Sequence, residues 1–146
     1  MSGTHTCTVV RVIAANVEEV WDAWTNVTVL ADWITCGGRV VKADVRVGGE
    51  FELHIGPGSA PERVHTGRYL VVERPHRLEL TWRSHWTDGE SHLEVSLRKL
   101  GALTEITVVH SGLPSLAIEA DHAEGWRDYI ALVEEAVVAR RALTTT

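Results

Sequence analysis

The chain has 146 residues, of which 45% are hydrophobic, a size and composition that predict a single domain over residues 1–146 with a core from about residue 6 to about residue 140 and frayed termini. The formal net charge is -6 and no run of Lys or Arg concentrates positive charge, so nucleic acid is excluded as an expected partner. No apolar stretch reaches the roughly 18 to 20 residues of a membrane span and no signal-peptide pattern opens the sequence, so we expect a cytoplasmic protein with no membrane partner.

The first predicted elements are a strand and two short helices. Residues Thr6 to Ile13 are rich in β-branched side chains and alternate as a strand does. Asn16 follows in N-cap position, with Glu19 three residues later as in a capping box, which predicts a helix from Val17 to about Thr25. A second helix is expected from about Val27 to Ile34.

From residue 39 to residue 111 the hydrophobic period changes to two. Short runs are separated by turn residues such as Val47-Gly48-Gly49 and Asp88-Gly89, which favours an antiparallel meander over a parallel sheet. Six more strands are therefore predicted: RVVKADV, GEFELHI, VHTGRYLVVE, RLELTWRSHW, SHLEVSLRKL and TEITVVHS.

A long amphipathic helix closes the chain, opening near Ser115 and running to about Ala142. The fold class is therefore α+β, with a curved seven-stranded antiparallel sheet wrapped around this helix and two short helices between the first and second strands. A curved sheet around one helix leaves a cavity wherever side chains do not fill it. Its predicted inner face on the helix is Ile118, His122, Trp126, Tyr129, Ile130, Val133 and Val137.

Strand alternation predicts which side chains face that helix. We expect the inward strand residues to be Phe51, Leu53, Ile55, Leu78, Leu80, Trp82, Ser84, Trp86, Ile106, Val108 and His110, with Trp33 and Ile34 added from the second short helix. The predicted ligand-binding set within these faces is Trp33, Phe51, Leu53, Leu80, Trp82, Ser84, Val108, His110, Ile118, His122, Trp126, Tyr129 and Ile130. Six tryptophans beside one Phe and two Tyr indicate that something large and apolar is packed or lined.

Four polar members of this set have two interpretations each. His110 ends an inward face and would suit a general acid or base near neutral pH, although a histidine before a Ser-Gly turn is also a common structural hydrogen-bond partner. His122 would reach the cavity mouth and pair with His110, or else lie on the surface. Ser84 would either make room for a ligand or form a hydrogen bond with the backbone. Tyr129 would either donate its hydroxyl to a ligand carbonyl or lie as an amphipathic side chain at the edge of the core.

Metal and cofactor sites are not expected. The eight histidines form no HxH, HExxH or Cys/His cluster, and His85 and His92 are the only close pair. Neither GxGxxG nor P-loop spacing occurs, and no Ser-His-Asp pattern can be assembled, so the sequence leaves open whether the protein is an enzyme. Cys7 and Cys36 are too few for a disulfide framework; Cys36, in a predicted loop, is interpreted as a bystander thiol, with a reactive thiol as the alternative.

Several segments in the same order resemble a known family. From about Thr8 to Val138 the sequence is similar to the bacterial homologues of the activator of the heat-shock-protein ATPase, in the START-like (SRPBCC, birch-pollen-allergen-like) superfamily. Asn16 stands where such proteins often carry Pro, a change that a good N-cap residue tolerates. The segments are RVIAANVEEVWDAW, LADW, ADVRVGGEFEL, TGRYLVVERPHRLELTW, TEITVVHSGL and HAEGW.

The resemblance implies a helix-grip fold with a hydrophobic cavity between the sheet and the C-terminal helix, but it implies no activity. The leading hypothesis is a protein that binds a small hydrophobic, aromatic or polycyclic molecule. The alternative is a cofactor-independent polyketide cyclase, dehydratase or lyase in natural-product metabolism, using His110 or His122. A co-chaperone-like interaction and a self-sacrificing resistance protein are further alternatives, and a homodimer through the N-terminal edge strand with Trp21 or Trp86 is weighed against a monomer.

Overall fold

A computed structural model describes residues 5–35, 38–56, 63–84 and 89–144. The elements follow the predicted order along the chain. They are β1 (His5–Ile13), α1 (Val17–Thr25), α2 (Val27–Ile34), β2 (Arg39–Ala43), β3 (Glu50–Ile55), β4 (Arg63–Glu73), β5 (Arg77–Ser84), β6 (Ser91–Leu100), β7 (Leu103–Leu113) and α3 (Leu116–Thr144).

The seven strands form one antiparallel sheet in the order β1-β7-β6-β5-β4-β3-β2. Neighbours from β2 to β7 are also neighbours in sequence, as a meander requires. The exception is β1, which pairs with the last strand, placing Val9 opposite Val108. The chain therefore starts at one edge of the sheet and enters the meander at the other, with α1 and α2 making the crossover.

The two short helices begin where the sequence provides side-chain caps. The Asn16 side-chain oxygen accepts from the Glu19 backbone N–H at 2.9 Å, and the Glu19 carboxylate accepts from the Asn16 N–H at 3.2 Å. Asn26 ends α1, and its side-chain oxygen accepts from Thr28 N–H at 3.0 Å to open α2. Each cap satisfies donors that the first helical turn leaves without a partner. The predicted capping box is confirmed.

The core lies between the sheet and the three helices, with α3 packed against β1, β7, α1 and α2. The predicted inward positions of β3, β5 and β7 are all buried, and Ile106, Val108 and His110 are completely inaccessible. Gly67, on β4, allows a close approach here. An added Cβ would lie 2.0 Å from the Thr81 carbonyl oxygen and 2.5 Å from the Phe51 ring, so the Phe51 ring packs directly over the glycine backbone.

The fold class and element order predicted from the sequence are confirmed, but one surface expectation is wrong. Trp21 is 3% exposed because its ring packs into the core from α1, so it offers no surface for a homodimer. Trp86 and Cys36 lie outside the described residues. Within the described ranges, no helix combines the length and apolarity needed to span a bilayer.

Candidate functional site

A pocket of about 260 Å³ opens between the N-terminal half of α3 and one end of β3, β4 and β5. Because neighbouring strands run antiparallel, the end of β3, the start of β4 and the end of β5 lie at the same end of the sheet. Ile55 at the end of β3 thus pairs with Arg63 at the start of β4. The described residues that border it are Ile34, Ile55, Arg63, His65, Trp82, Ile118, Asp121, His122, Gly125, Trp126 and Tyr129.

Aromatic rings form much of the pocket wall. Trp82 from β5 meets Trp126 from α3 edge to face, with ring centroids 5.8 Å apart. Tyr129 lies three residues beyond Trp126 on the same helical face, and its ring centroid is also 5.8 Å from that of Trp126. Both tryptophans are more than nine-tenths buried. The wall thus presents flat, preformed apolar surfaces from the sheet and from the helix.

Polar groups lie at the rim. Arg63 and Asp121 are exposed, whereas His122 is half-buried. The His122 ring nitrogen Nδ1 lies 2.9 Å from the carbonyl oxygen of Ile118 one turn earlier, so it is the nitrogen that carries the proton and donates. Nε2 is then the ring nitrogen through which His122 can contact a bound molecule.

His65 is a pocket residue that the sequence analysis did not single out. It lies on the inward side of β4, where it is 8% exposed and pairs directly with Ser84 on β5. Ser84 Oγ lies 3.1 Å from His65 Nδ1, and the His65 ring is 4.7 Å from the Trp82 ring. The pair therefore holds the imidazole against the aromatic wall. The inward parity of His65 and Tyr69 was the available signal, but Gly67 between them removes the apolar alternation that would have revealed it.

His110 is fully buried and belongs to a chain of hydrogen bonds that runs from the Trp126 side chain to the Trp82 backbone. The Trp126 Nε1–H donates to His110 Nδ1 at 3.1 Å, so the neutral ring carries its proton on Nε2. That nitrogen donates to Ser91 Oγ at 2.7 Å, and Ser91 Oγ donates to the Trp82 carbonyl oxygen at 2.9 Å.

Burial is the main reason why the pKa of His110 falls to about 3, with the neighbouring imidazole of His122 adding to the effect. Both ring nitrogens are engaged and the side chain is fully inaccessible. His110 therefore remains neutral near neutral pH and holds Trp126 in position, and it does not border the pocket. The ring of His122, 4.9 Å away between centroids, borders the pocket instead.

The other predicted ligand-binding residues fall into three groups. Trp82, Ile118, His122, Trp126 and Tyr129 border the pocket. Phe51, Leu53 and Leu80 border a separate void of about 20 Å³ deeper in the core. Trp33, Ser84, Val108 and Ile130 are buried in the packing around these two spaces.

No group of three or more His, Cys, Asp or Glu side chains with the geometry of a metal site occurs in the part of the chain that the structure describes. His85, one member of the pair considered from sequence, is outside that part. Cys7 is buried in β1, where desolvation raises the pKa of its thiol.

The chain is similar in sequence to one established family. The sequence profile described as Activator of Hsp90 ATPase homolog 1-like protein matches residues 14–137. No curated protein matches the chain significantly.

Solved structures share the fold. Protein CV1439 from Chromobacterium violaceum is 24% identical with a TM-score of 0.82, over 90% of this chain and 96% of that one. DynU16, described as a protein of the dynemicin biosynthetic locus, is 25% identical with a TM-score of 0.74; the match covers 96% of this chain but 47% of DynU16. PFC0360w, described as an HSP90 activator from Plasmodium falciparum, is 16% identical with a TM-score of 0.74, over 88% of this chain and 93% of that one.

Proposed function

The chain belongs to the family of Activator of Hsp90 ATPase homolog 1-like proteins, and from that premise we propose that it binds a small aromatic or polycyclic molecule in the pocket between α3 and β3 to β5. The observation that supports this most is the wall formed by Trp82, Trp126 and Tyr129 beside an open mouth. Drug-sized ligands commonly occupy about 300 to 1,000 Å³. A pocket of about 260 Å³ is smaller, which favours molecules of about two or three fused rings.

The rim gives the ligand an orientation. Arg63, His65, Asp121 and His122 all border the pocket, while Ile34, Ile55 and Ile118 supply aliphatic contacts. A ligand with an apolar ring system and a polar substituent would place the rings against Trp82 and Trp126 and leave the substituent at the mouth. Binding of this kind needs no cofactor, and we expect it to take place in the cytoplasm.

Tryptophan fluorescence tests the proposal directly, because two of the five tryptophans that the structure describes border the pocket. We would titrate the purified protein with aromatic polyketides, flavonoids and fatty acids. Saturable quenching is expected for one aromatic class. Trp82→Phe should remove most of the signal, whereas Trp21→Phe is the matched control because Trp21 is similarly buried but does not border the pocket. Quenching that persists unchanged in Trp82→Phe, or no response to any compound, would contradict the proposal.

The orientation of His122 favours a second candidate, a cofactor-independent enzyme of the cyclase, dehydratase or lyase type. Its Nδ1 is occupied by the Ile118 carbonyl, and the ring borders the pocket with Nε2 as the basic nitrogen. A base placed beside a folded apolar substrate would remove a proton from carbon or return one to oxygen. His110 is less suited to this role because both of its nitrogens are engaged.

Substitution at His122 separates binding from catalysis. For any compound that quenches fluorescence, we would follow product formation by absorbance and mass spectrometry with wild type and His122→Gln. Catalysis predicts a loss of turnover by about 10²-fold or more with retained binding. If His122→Gln converts the compound as fast as wild type, His122 is not the base; if wild type leaves every bound compound unchanged, the binding function alone stands.

A further inference from the structure

A void of about 20 Å³ lies in the core beyond the pocket. Its walls are almost entirely apolar and aromatic, and among the described residues that border it Trp24, Tyr69 and Trp82 carry a polar side-chain atom. Burial raises the pKa of Tyr69 to about 12, so its hydroxyl stays neutral. The bordering residues are Trp24, Leu30, Ile34, Phe51, Leu53, Tyr69, Leu78, Leu80, Trp82 and Leu93.

The indole N–H of Trp24 is buried and has no acceptor among the described residues. Its two tryptophan neighbours, Trp33 and Trp126, differ in this respect. Trp33, whose ring centroid is 4.7 Å from that of Trp24, donates to the Ala23 carbonyl oxygen at 2.7 Å, and Trp126 donates to His110 Nδ1 at 3.1 Å. A buried donor without a partner is destabilising and uncommon in folded proteins. Trp24 therefore contributes a buried indole N–H without an acceptor among the described residues, on a side chain that borders the void.

The void and the pocket share two bordering residues among those described. Ile34 and Trp82 border both spaces, Ile34 from α2 and Trp82 from β5. For the two spaces to join, the Ile34 and Trp82 side chains would have to move apart. A ligand seated against Trp82 and Trp126 would then extend toward the void that Trp24 borders.

We propose that this void is the inner end of the ligand site and that Trp24 Nε1–H donates to a carbonyl or ether oxygen of the bound molecule. The inference rests on the proposed binding function and narrows its ligand class to aromatic ketones, quinones and related molecules with an oxygen acceptor at the buried end. The volume of about 20 Å³ fits one oxygen atom. A water molecule also fits this volume, in which Trp24, Tyr69 and Trp82 are the described bordering residues with a polar side-chain atom, and a ligand oxygen bound there would displace it.

A matched pair of probes tests the donor. We would add 2-acetylnaphthalene, which carries a carbonyl oxygen, and 2-ethylnaphthalene, which has nearly the same shape without it, to ¹⁵N-labelled protein and follow the indole N–H signals. Trp24→Phe assigns the Trp24 signal. Both probes should move the signals of Trp82 and Trp126, but only the ketone should shift the Trp24 proton downfield. In Trp24→Phe, affinity for the ketone should fall by about three- to tenfold while that for the hydrocarbon stays within about twofold.

The outcomes separate this inference from the proposed function. If both probes move the pocket tryptophans but the Trp24 signal responds equally to each, or if Trp24→Phe binds the ketone as tightly as wild type does, the pocket stands and the inner acceptor site is wrong. If neither probe moves Trp82 or Trp126, both proposals fail. Should Trp24→Phe not fold, through-bond assignment of the wild-type spectrum still identifies the Trp24 signal and decides the question.

Discussion

Gly125 offers a test in which stability and binding are expected to change in opposite directions. It lies inside the 29-residue helix α3 and borders the pocket, and a Cβ built on it meets no atom within 4 Å. Replacing an interior helical glycine by alanine gains about 0.8–1.0 kcal/mol from helix propensity, and no clash offsets that gain. With an unfolding entropy of about 2.1 cal/mol/K per residue over 146 residues, Gly125→Ala should raise Tm by about 3 °C.

The same methyl group should weaken ligand binding, because the open space it enters is the pocket. A methyl inserted into a close-fitting site costs about 1 kcal/mol or more, which is about a fivefold loss of affinity. Asp128→Ala is the matched control: Asp128 is exposed on α3 and does not border the pocket, so the change should gain about 0.5 kcal/mol of helix propensity and leave binding unchanged. Thermal melts by circular dichroism and fluorescence titration with an aromatic probe measure the two effects.

Two results would refute this reasoning about Gly125. A lower Tm in Gly125→Ala would mean that the glycine is required by the backbone or by a contact that an added Cβ disturbs. A higher Tm with unchanged affinity would mean that ligands do not occupy the pocket beside α3, because the new methyl group of Gly125→Ala enters that pocket. Asp128→Ala, which does not change the pocket, is expected to show this pattern.

Three further predictions concern the parts of the fold that support the pocket. The pKa of His110 is about 3 in the folded chain and about 6.5 in the unfolded one, so between these pH values only the unfolded state binds a proton at this group. The free energy of unfolding of wild type should therefore fall by about 2 kcal/mol through His110 as the pH is lowered from 7 to 5. Urea unfolding at the two pH values should show a fall in the free energy of unfolding that is about 2 kcal/mol smaller in His110→Gln than in wild type. An equal fall in both proteins would show that His110 is not buried in its neutral form. Gly67→Ala should destabilise by about 1–3 kcal/mol, since the new Cβ lies 2.5 Å from the Phe51 ring, and an unchanged urea midpoint would contradict the close packing of that ring on the glycine. Asn16→Ala should cost about 1 kcal/mol through loss of the capping box with Glu19, and Asn16→Ser should restore most of it; equal stability of the two variants would argue against the cap.

The fold was predictable because local patterns repeat along the chain. Apolar alternation identified the buried side of β3 through Phe51, Leu53 and Ile55, and the Asn16 cap located the start of α1. Alternation failed on β4, where the inward side reads His65, Gly67, Tyr69. Two of these three residues, His65 and Gly67, are not clearly apolar, so hydropathy does not show which side of β4 faces the core, and His65 was missed.

The candidate site was less predictable because it depends on distant partners. The state of His110 is set by Ser91, 19 residues earlier, and by Trp126, 16 residues later. Inward parity was enough to predict its burial but not to exclude it from the pocket. Which parts of the interior remain open depends on how side-chain volumes add up across α3 and the sheet, and this is why Val108 and Ile130 are packed while Tyr129 borders the opening.

The pairing of β1 with β7 also has a consequence for how the molecule assembles on the ribosome. Each strand from β3 to β7 can form a hairpin with the strand synthesised just before it. Ile13 of β1 can pair with its partner Thr104 only after the intervening residues have been synthesised. Non-local pairing of this kind slows folding, and a chain synthesised at about 5–20 residues per second needs several seconds to cover the interval. β1 therefore leaves the exit tunnel well before its partner strand β7, and during those seconds its apolar side is open to chaperones or to other nascent chains.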